Sequence, residues 1–209
     1  MGMAKRRIRV YSDYKSPYAY LAKDLVYELE RETGVTIDWL PYTLDIPAYL
    51  GSAQIDSAGN VIKASRNAHQ WRRVKYSYMD CRREANRRSL TILGPRKIFD
   101  SSLANVGMLY AKRQDTFRAY YDRVFERFWK RELDIESPAA LAAVLAECGA
   151  DIGGFVSFVE NEGRRELNEI MREAEDAGVF GVPSFLFDSG DLYWGREHLA
   201  RIRELLGAA

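Results

Sequence analysis

The sequence predicts an α/β fold in which a long helical segment interrupts a small β-sheet. Three patterns predict this fold and follow one another along the chain: strand, helix and strand over 8–40, helical patterns alone over about 65–176, and two strands with a final helix over 184–206. The sheet domain is accordingly predicted at residues 1–60 and 177–209, and an inserted helical domain at residues 61–176. A chain of 209 residues is long enough to bury a core of this kind.

The N-terminal unit combines a strand at residues 8–11 with a helix that begins at Pro17. Proline suits the first position of a helix, because its missing N–H would have no partner there. Apolar residues then recur at helical spacing, and Gly34 is typical of a helix end. Alternating apolar and polar residues at 35–40 predict a second strand. Two strands that a helix connects are expected to pair in parallel.

The central part of the chain begins with a stretch, from Pro41 to about Asn60, in which prolines and glycines predict irregular structure. After it, apolar stripes at helical spacing predict one helix after another. Phe117, Tyr121 and Phe125 form such a stripe. Stripes of this kind usually belong to the core.

The C-terminal unit is predicted from two short apolar runs, at residues 184–187 and 192–194. The residues between them, 188–191, read Asp-Ser-Gly-Asp, a composition that is typical of a β-hairpin turn. A last helix is predicted over about 196–206.

The composition bears on partners and compartment. The formal net charge is +1, which provides no overall attraction to nucleic acid or to membrane surfaces. No apolar run approaches the ~20 residues that span a bilayer, and no secretory leader is recognisable before the first strand, so we expect a cytoplasmic protein. Cys81 and Cys148 form no C-x-x-C pair and fit two structural thiols in a reducing compartment. His69 and His198 are isolated, so no metal site is expected.

Two motifs mark the two ends of the predicted sheet. Residues 16–19, S-P-Y-A, lie between the first strand and the first helix and resemble a C-P-x-C redox motif with both cysteines replaced. Residues 178–185, G-V-F-G-V-P-S-F, with L-Y-W-G at 192–195, resemble the G-V-x-G-V-P-T-F…F-x-G segment of DsbA-like proteins. The resemblance implies a thioredoxin-like fold with a large inserted α-helical domain. It also implies that the bond before Pro183 is cis and faces Ser16.

Within that family, the S-P-Y sequence resembles the 2-hydroxychromene-2-carboxylate isomerases and the kappa-class glutathione transferases. Those enzymes use the serine hydroxyl beside the sulfur of glutathione. The resemblance therefore implies glutathione as thiol cofactor or co-substrate, with Ser16 as the catalytic residue. It implies these glutathione-binding positions: Pro17, Tyr18, Asn60, Val182, Pro183, Arg196 and Glu197. Arg196 and Glu197 stand where the kappa class has a serine and an aspartate. Relatives are commonly dimers, which implies a homodimer here.

Ser16 supports this chemistry without the family as well. The first turn of a helix presents unpaired N–H groups and the positive end of the helix dipole, so an anion is stabilised there. The Ser16 hydroxyl would add a charge-assisted hydrogen bond to a bound thiolate. Serine has no accessible redox state, which excludes disulfide exchange at this position. The alternative is that Ser16 only caps the helix, a role that serine favours.

The segment 61–97 is locally basic, with aromatic residues interleaved. One interpretation is a solvated helix face, and the other is a surface that binds a small anionic aromatic molecule. The second interpretation predicts that Arg72, Lys75 and Arg82 contact the substrate, with Arg73 beside them. No recognition motif for nucleic acid accompanies these residues.

The function predicted from these observations is a glutathione-dependent isomerase or transferase that acts on small aromatic carboxylates. Two alternatives stay open. One is a non-enzymatic thioredoxin-like module that holds a peptide or a thiol across Val182. The other is an oxidoreductase that uses Cys81 or Cys148. Titration with glutathione tests the first alternative, and alkylation of both cysteines tests the second.

Overall fold

A computed structural model describes residues 7–207 of the chain. The elements, in chain order, are β1 (Arg7–Ser12), α1 (Pro17–Thr33), β2 (Thr36–Pro41), α2 (Ile46–Leu50), β3 (Ala53–Ile55), β4 (Val61–Ala64), α3 (Ala68–Arg87), α4 (Ser102–Arg113), α5 (Phe117–Trp129), α6 (Pro138–Glu147), α7 (Phe155–Glu160), α8 (Glu162–Asp176), β5 (Ser184–Phe187), β6 (Leu192–Trp194), a 3₁₀ turn (Arg196–His198) and α9 (Leu199–Leu205). Within this part of the chain, no helix combines the length and the apolarity that crossing a membrane requires.

Four strands form the central sheet in the order β2-β1-β5-β6. Strand β1 pairs in parallel with β2, where Val10 lies opposite Trp39. It pairs antiparallel with β5, where Val10 lies opposite Phe185, and β6 pairs antiparallel with β5. Each end of the chain therefore contributes two strands, and helices α3–α8 are inserted between them. The predicted α/β class and the pairing of residues 184–187 with the N-terminal strand are confirmed.

Helix α1 begins and ends where the sequence predicts. Ser16 caps its N-terminus and Pro17 is its first residue. At the other end, Gly34 has φ = +66°, a left-handed conformation that glycine adopts at little cost. Leu21 and Leu29 are fully buried in the core. Because the core holds the helix along its length, the N-terminal turn has a fixed position.

Aromatic side chains fill the core between α1 and α5. The ring of Tyr14, in the turn before α1, has its centroid 4.9 Å from that of Phe125 and 5.6 Å from that of Tyr121. Tyr20 stacks on Phe125 at 5.3 Å and lies parallel to Trp129 at 6.5 Å. The apolar stripe that predicts α5 therefore belongs to the core. The turn that carries Ser16 rests on this close-packed aromatic base.

The irregular structure predicted for residues 41–60 is wrong in part. This stretch contains α2 and the first strand of an antiparallel hairpin, β3–β4, which crosses the predicted domain boundary after residue 60. Neither strand has a buried residue, so there is no alternation of apolar residues to detect. A tertiary contact helps to hold the hairpin, since the Ile55 N–H donates to the carbonyl of Arg96 at 2.8 Å.

Candidate active site

Ser16 lies in the turn between β1 and α1 and is only 4% exposed. Its Oγ accepts a hydrogen bond from the Ala19 N–H at 3.2 Å, and its own N–H donates to the carbonyl of Asp13 at 3.0 Å. Ser16 is thus a true N-cap residue of α1. The cap uses Oγ as an acceptor, so the hydroxyl hydrogen is left to donate elsewhere, and in this structure it is directed to the Val182 carbonyl.

The bond between Val182 and Pro183 is cis, and it faces Ser16. The Ser16 Oγ lies 3.5 Å from the carbonyl oxygen of Val182, a distance at the upper limit for a hydrogen bond. Two bonds hold the loop in place: the Gly195 N–H donates to the Pro183 carbonyl at 2.9 Å, and the Ser184 hydroxyl donates to the Gly181 carbonyl at 2.7 Å. The predicted cis bond facing Ser16 is confirmed, and one ligand can contact both.

A cleft of about 1210 Å³ opens above these residues. The two motifs form one side of it, and helices α2 and α3, strand β3 and the loop at 94–99 form the others. Small-molecule sites typically measure roughly 300–1,000 Å³, so the cleft is somewhat larger than a typical site for one small molecule. Phe180 and Trp194, 62% and 48% exposed, stand beside each other with ring centroids 5.0 Å apart.

The cleft is strongly positive. Two carboxylates line it, Asp80 and Glu197. Eight cationic side chains also line it: Lys15, Arg66, Arg73, Arg82, Arg96, Lys97, Arg131 and Arg196. The chain as a whole has a net charge of only +1, so positive charge is concentrated around this cleft. A cleft lined by one sign of charge attracts ligands of the opposite sign.

The basic residues predicted on α3 divide into two groups. Arg73 and Arg82 line the cleft, whereas Arg72 and Lys75 do not. Both of the latter are exposed, and Arg72 borders a separate shallow depression beside His69. Arg72 and Lys75 thus lie outside the cleft, and their expected contact with a substrate stays a prediction. The helical period explains this difference. Side chains of α3 face the cleft at every third or fourth position, and Arg72 and Lys75 lie between those positions.

The predicted glutathione-binding positions are mostly brought together. Pro17, Tyr18, Val182, Pro183, Arg196 and Glu197 all line the cleft. Asn60 does not, because it lies in the exposed turn of the β3–β4 hairpin, where its side chain and its N–H both donate to Asp56 at 3.0 and 2.8 Å. Asn60 therefore lies outside the cleft, and its expected contact with glutathione stays a prediction. Arg196 lies 3.6 Å from the Glu84 carboxylate, which links the C-terminal motif to α3.

A buried ion pair beneath Ser16 escaped the sequence analysis. Asp13 accepts from the Leu44 N–H at 2.8 Å and from the Lys15 N–H at 3.4 Å, and the Lys15 ammonium lies 3.8 Å from its carboxylate. Burial raises the pKa of the Asp13 carboxyl, while Lys15 acts in the opposite direction. Lys15, itself 7% exposed, also donates to the Phe99 carbonyl at 3.4 Å. The sequence feature that could have indicated this pair is the presence of two opposite charges, Asp13 and Lys15, in the short turn before the S-P-Y motif.

Neither cysteine lines the cleft. Cys81 is fully buried on α3, beneath Tyr18, and burial raises the pKa of its thiol to about 12. Burial also raises the pKa of Cys148 at the end of α6. A raised pKa keeps a thiol protonated and unreactive. Among residues 7–207 there is also no group of three His, Cys, Asp or Glu side chains arranged to hold a metal ion.

Comparison with known proteins identifies the family of the chain. The DSBA-like thioredoxin domain matches residues 7–207, and the chain belongs to that family. The recognition of a DsbA-like thioredoxin fold with an inserted helical region is confirmed.

Particular members of the family resemble the chain over most of its length. It is 29% identical to the 2-hydroxychromene-2-carboxylate isomerase of Sphingobium xenophagum over 195 residues, which cover 93% of this chain and 94% of the relative. A solved 2-hydroxychromene-2-carboxylate isomerase superimposes with a TM-score of 0.75 at 22% identity, over 96% of this chain and 94% of the other. The cytosolic disulfide reductase DsbM of Pseudomonas aeruginosa, solved with GSH, superimposes with a TM-score of 0.64 at 16% identity, over 96% and 97% of the two chains.

Proposed function

We propose that the protein is a glutathione-dependent isomerase or transferase of small aromatic carboxylates, similar to 2-hydroxychromene-2-carboxylate isomerase. The observation that carries the proposal is the Ser16 hydroxyl, held at the N-terminus of α1 and 3.5 Å from the Val182 carbonyl, on the wall of a positive cleft. The relatives in Sphingobium xenophagum and Pseudomonas putida, 29% and 28% identical, carry that isomerase name.

The residues of the cleft fit a thiol cofactor. The hydroxyl hydrogen of Ser16 is not used by the helix cap, and the positive end of the α1 dipole favours an anion beside it. The hydroxyl therefore donates to a sulfur anion and holds it at the start of α1. A thiol bound in this way supplies a nucleophile that adds reversibly to an electrophilic carbon of the substrate.

The rest of the glutathione molecule is a peptide, and the loop before β5 is suited to a peptide. Val182 has its carbonyl directed to the site, and an extended ligand pairs with such a backbone as an added strand does. Arg196 and Glu197, at the same end of the cleft, are placed to meet the charged groups of the ligand. Pro17, Tyr18 and Pro183 complete this side.

The aromatic substrate occupies the remaining space. Trp71, Phe180 and Trp194 offer aromatic surface in the cleft, and aromatic rings pack well against each other at edge or offset contacts. Arg73 and Arg82 line the same cleft and supply guanidinium groups for a carboxylate.

Calorimetric titration with reduced glutathione tests the cofactor, with S-methylglutathione as the matched ligand that cannot ionise at sulfur. We expect reduced glutathione to bind more tightly, and its advantage to grow with pH as the bound thiol ionises. Equal affinities at every pH would contradict a thiolate site.

Turnover tests the activity. Interconversion of 2-hydroxychromene-2-carboxylate, followed by absorbance, should need glutathione and should slow on replacing Ser16. Glutathione binding without turnover of this compound or of other aromatic carboxylates would favour the non-enzymatic binding module. Turnover at the same rate with and without glutathione would refute the proposal.

A further inference from the structure

Three guanidinium groups line the cleft together with Tyr78 and act on it electrostatically, and they come from three separate segments of the chain. Arg82 follows Tyr78 by one helical turn, with its guanidinium carbon 5.6 Å from the ring centroid. Arg66 precedes α3, and Arg131 follows α5. All four residues line the cleft. Burial raises the pKa of Tyr78 to about 12, and the three arginines act in the opposite direction, as close positive charges do.

Backbone carbonyls fix each of the three guanidinium groups. The Nε of Arg66 donates to the Leu50 carbonyl at 3.1 Å, and the Nε of Arg82 donates to the Ile92 carbonyl at 3.3 Å. The Nε of Arg131 donates to the Gly94 carbonyl at 2.8 Å. A carbonyl orients a guanidinium group without neutralising it, and other N–H donors of each group stay available. The cluster is thus positioned before any ligand arrives, which lowers the entropic cost of binding.

None of these arginines has a carboxylate within salt-bridge distance among residues 7–207. Several other arginines in this part of the chain do pair with carboxylates. Arg113, for example, pairs with both Glu162 at 2.9 Å and Glu166 at 2.6 Å. Three like charges in one cleft repel each other. A bound anion would reduce this repulsion.

Tyr78 adds a neutral donor at the centre of the cluster. Its hydroxyl makes no hydrogen bond to any residue that the structure describes. Since the raised pKa keeps the hydroxyl protonated at neutral pH, it can donate to an oxyanion. Beside it, the ring of Trp71 lies 5.1 Å from the guanidinium carbon of Arg66 and provides a flat surface for an aromatic ligand.

We propose that Arg66, Arg82, Arg131 and Tyr78 form a subsite for a doubly charged oxyanion, the phosphate monoester or dicarboxylate end of an aromatic co-substrate. A single carboxylate offers one negative charge to three guanidinium groups, whereas a dianion compensates two of them. Arginine suits this task, since its fork of donors matches carboxylate and phosphate oxygens in pairs. Binding at this subsite does not depend on the proposed function. Only the reaction of the bound compound at Ser16 rests on it.

A series of ligands with one aromatic ring and increasing charge tests the class of ligand. The probes are benzyl alcohol, benzoate, phthalate and phenyl phosphate, titrated by calorimetry at neutral pH and low salt. We expect phthalate and phenyl phosphate to bind more tightly than benzoate, and benzyl alcohol to bind least. Added salt should weaken the dianions most. Benzoate binding as tightly as both dianions would overturn the assignment to a doubly charged group.

Charge-removing variants test the location. Arg82→Gln and Arg131→Gln should each weaken phenyl phosphate binding by about ten- to a hundredfold, the loss expected for a hydrogen bond between charged groups. Arg83→Gln is the matched control, because Arg83 is the exposed neighbour of Arg82 on α3 and does not line the cleft. Equal phenyl phosphate affinity in all three variants and the wild type would overturn the site.

Two further measurements keep the outcomes distinct. Thermal unfolding of each variant identifies loss of fold, and in that case Tyr78→Phe, which removes only the hydroxyl, replaces the affected variant and should weaken phenyl phosphate binding severalfold. Glutathione is titrated in parallel. Failure of glutathione binding with intact phenyl phosphate binding refutes the proposed function and leaves the subsite standing, whereas the reverse result refutes the subsite alone.

Discussion

Two serine caps in the same chain allow the role of Ser16 to be separated from helix capping. Ser16 and Ser137 have nearly identical backbone angles, φ −93° and ψ 114° against φ −92° and ψ 113°. Each is followed by proline at the first helical position, and each Oγ accepts from the N–H three residues later at 3.2 Å. Ser16→Ala and Ser137→Ala should therefore each cost ~1 kcal/mol of stability, which lowers Tm by roughly 2–4 °C in a chain of this size.

Under the proposed function, only Ser16→Ala removes a hydrogen bond to a bound thiolate. Such a bond is worth ~1.5–3 kcal/mol, so the pKa of the glutathione thiol in the complex should rise by about one to two units. Thiolate absorbance, followed against pH at saturating protein, measures this pKa directly. Ser137→Ala should leave it unchanged. If Ser16→Ala lowers Tm like its control and also leaves the thiol pKa unchanged, Ser16 is a helix cap and nothing more.

Three other predictions test the surroundings of the site. Ser16→Cys places a thiol at a helix start, where its pKa is lowered, so it should form a mixed disulfide with oxidised glutathione; an unchanged intact mass would contradict this. Lys15→Met leaves buried Asp13 unpaired and should cost about 3–5 kcal/mol at neutral pH. Burial raises the pKa of Asp13, and loss of Lys15 raises it further. The loss of unfolding free energy relative to wild type should therefore shrink as pH falls and the carboxyl is protonated. Urea unfolding that shows the same loss at mildly acidic pH would refute the pairing. The raised pKa values of Cys81 and Cys148 predict slow alkylation by iodoacetamide, slowest at Cys81, with turnover preserved; lost turnover would support the oxidoreductase alternative.

The sheet and the core helices could be predicted from the sequence because their signals are local. Helix α1 has a proline start, an apolar period and a glycine end, and the stripe of α5 is aromatic throughout. The β3–β4 hairpin has no such signal. Its strands have three and four residues, and a contact with the distant residue Arg96 helps to fix them.

The cleft residues that belong to a sequence motif could be predicted. Those that only the folded chain brings to the cleft could not. Ser16 and Pro183 were predicted because each belongs to a recognisable motif at the end of a strand. Arg131 and Lys15 had no motif, since a loop after α5 and a buried turn bring them to the cleft. The basic composition of α3 indicates a charged surface, but it does not show which of these residues face the cleft. Arg72 lies on a part of the helix surface that is outside the cleft. The homodimer, the cytoplasmic location and the boundaries of the inserted domain stay predictions.

The peripheral β3–β4 hairpin has a consequence for how this cleft can diversify. The hairpin and α2 contribute walls to the cleft, yet none of their residues is buried. The residues that would carry the chemistry, Ser16 and Val182, belong to the buried part of the fold. Mutations in these two elements therefore change which compounds fit at a smaller cost in folding stability than mutations in the buried part of the fold. Related proteins with this fold can therefore differ in substrate while they keep the same reaction.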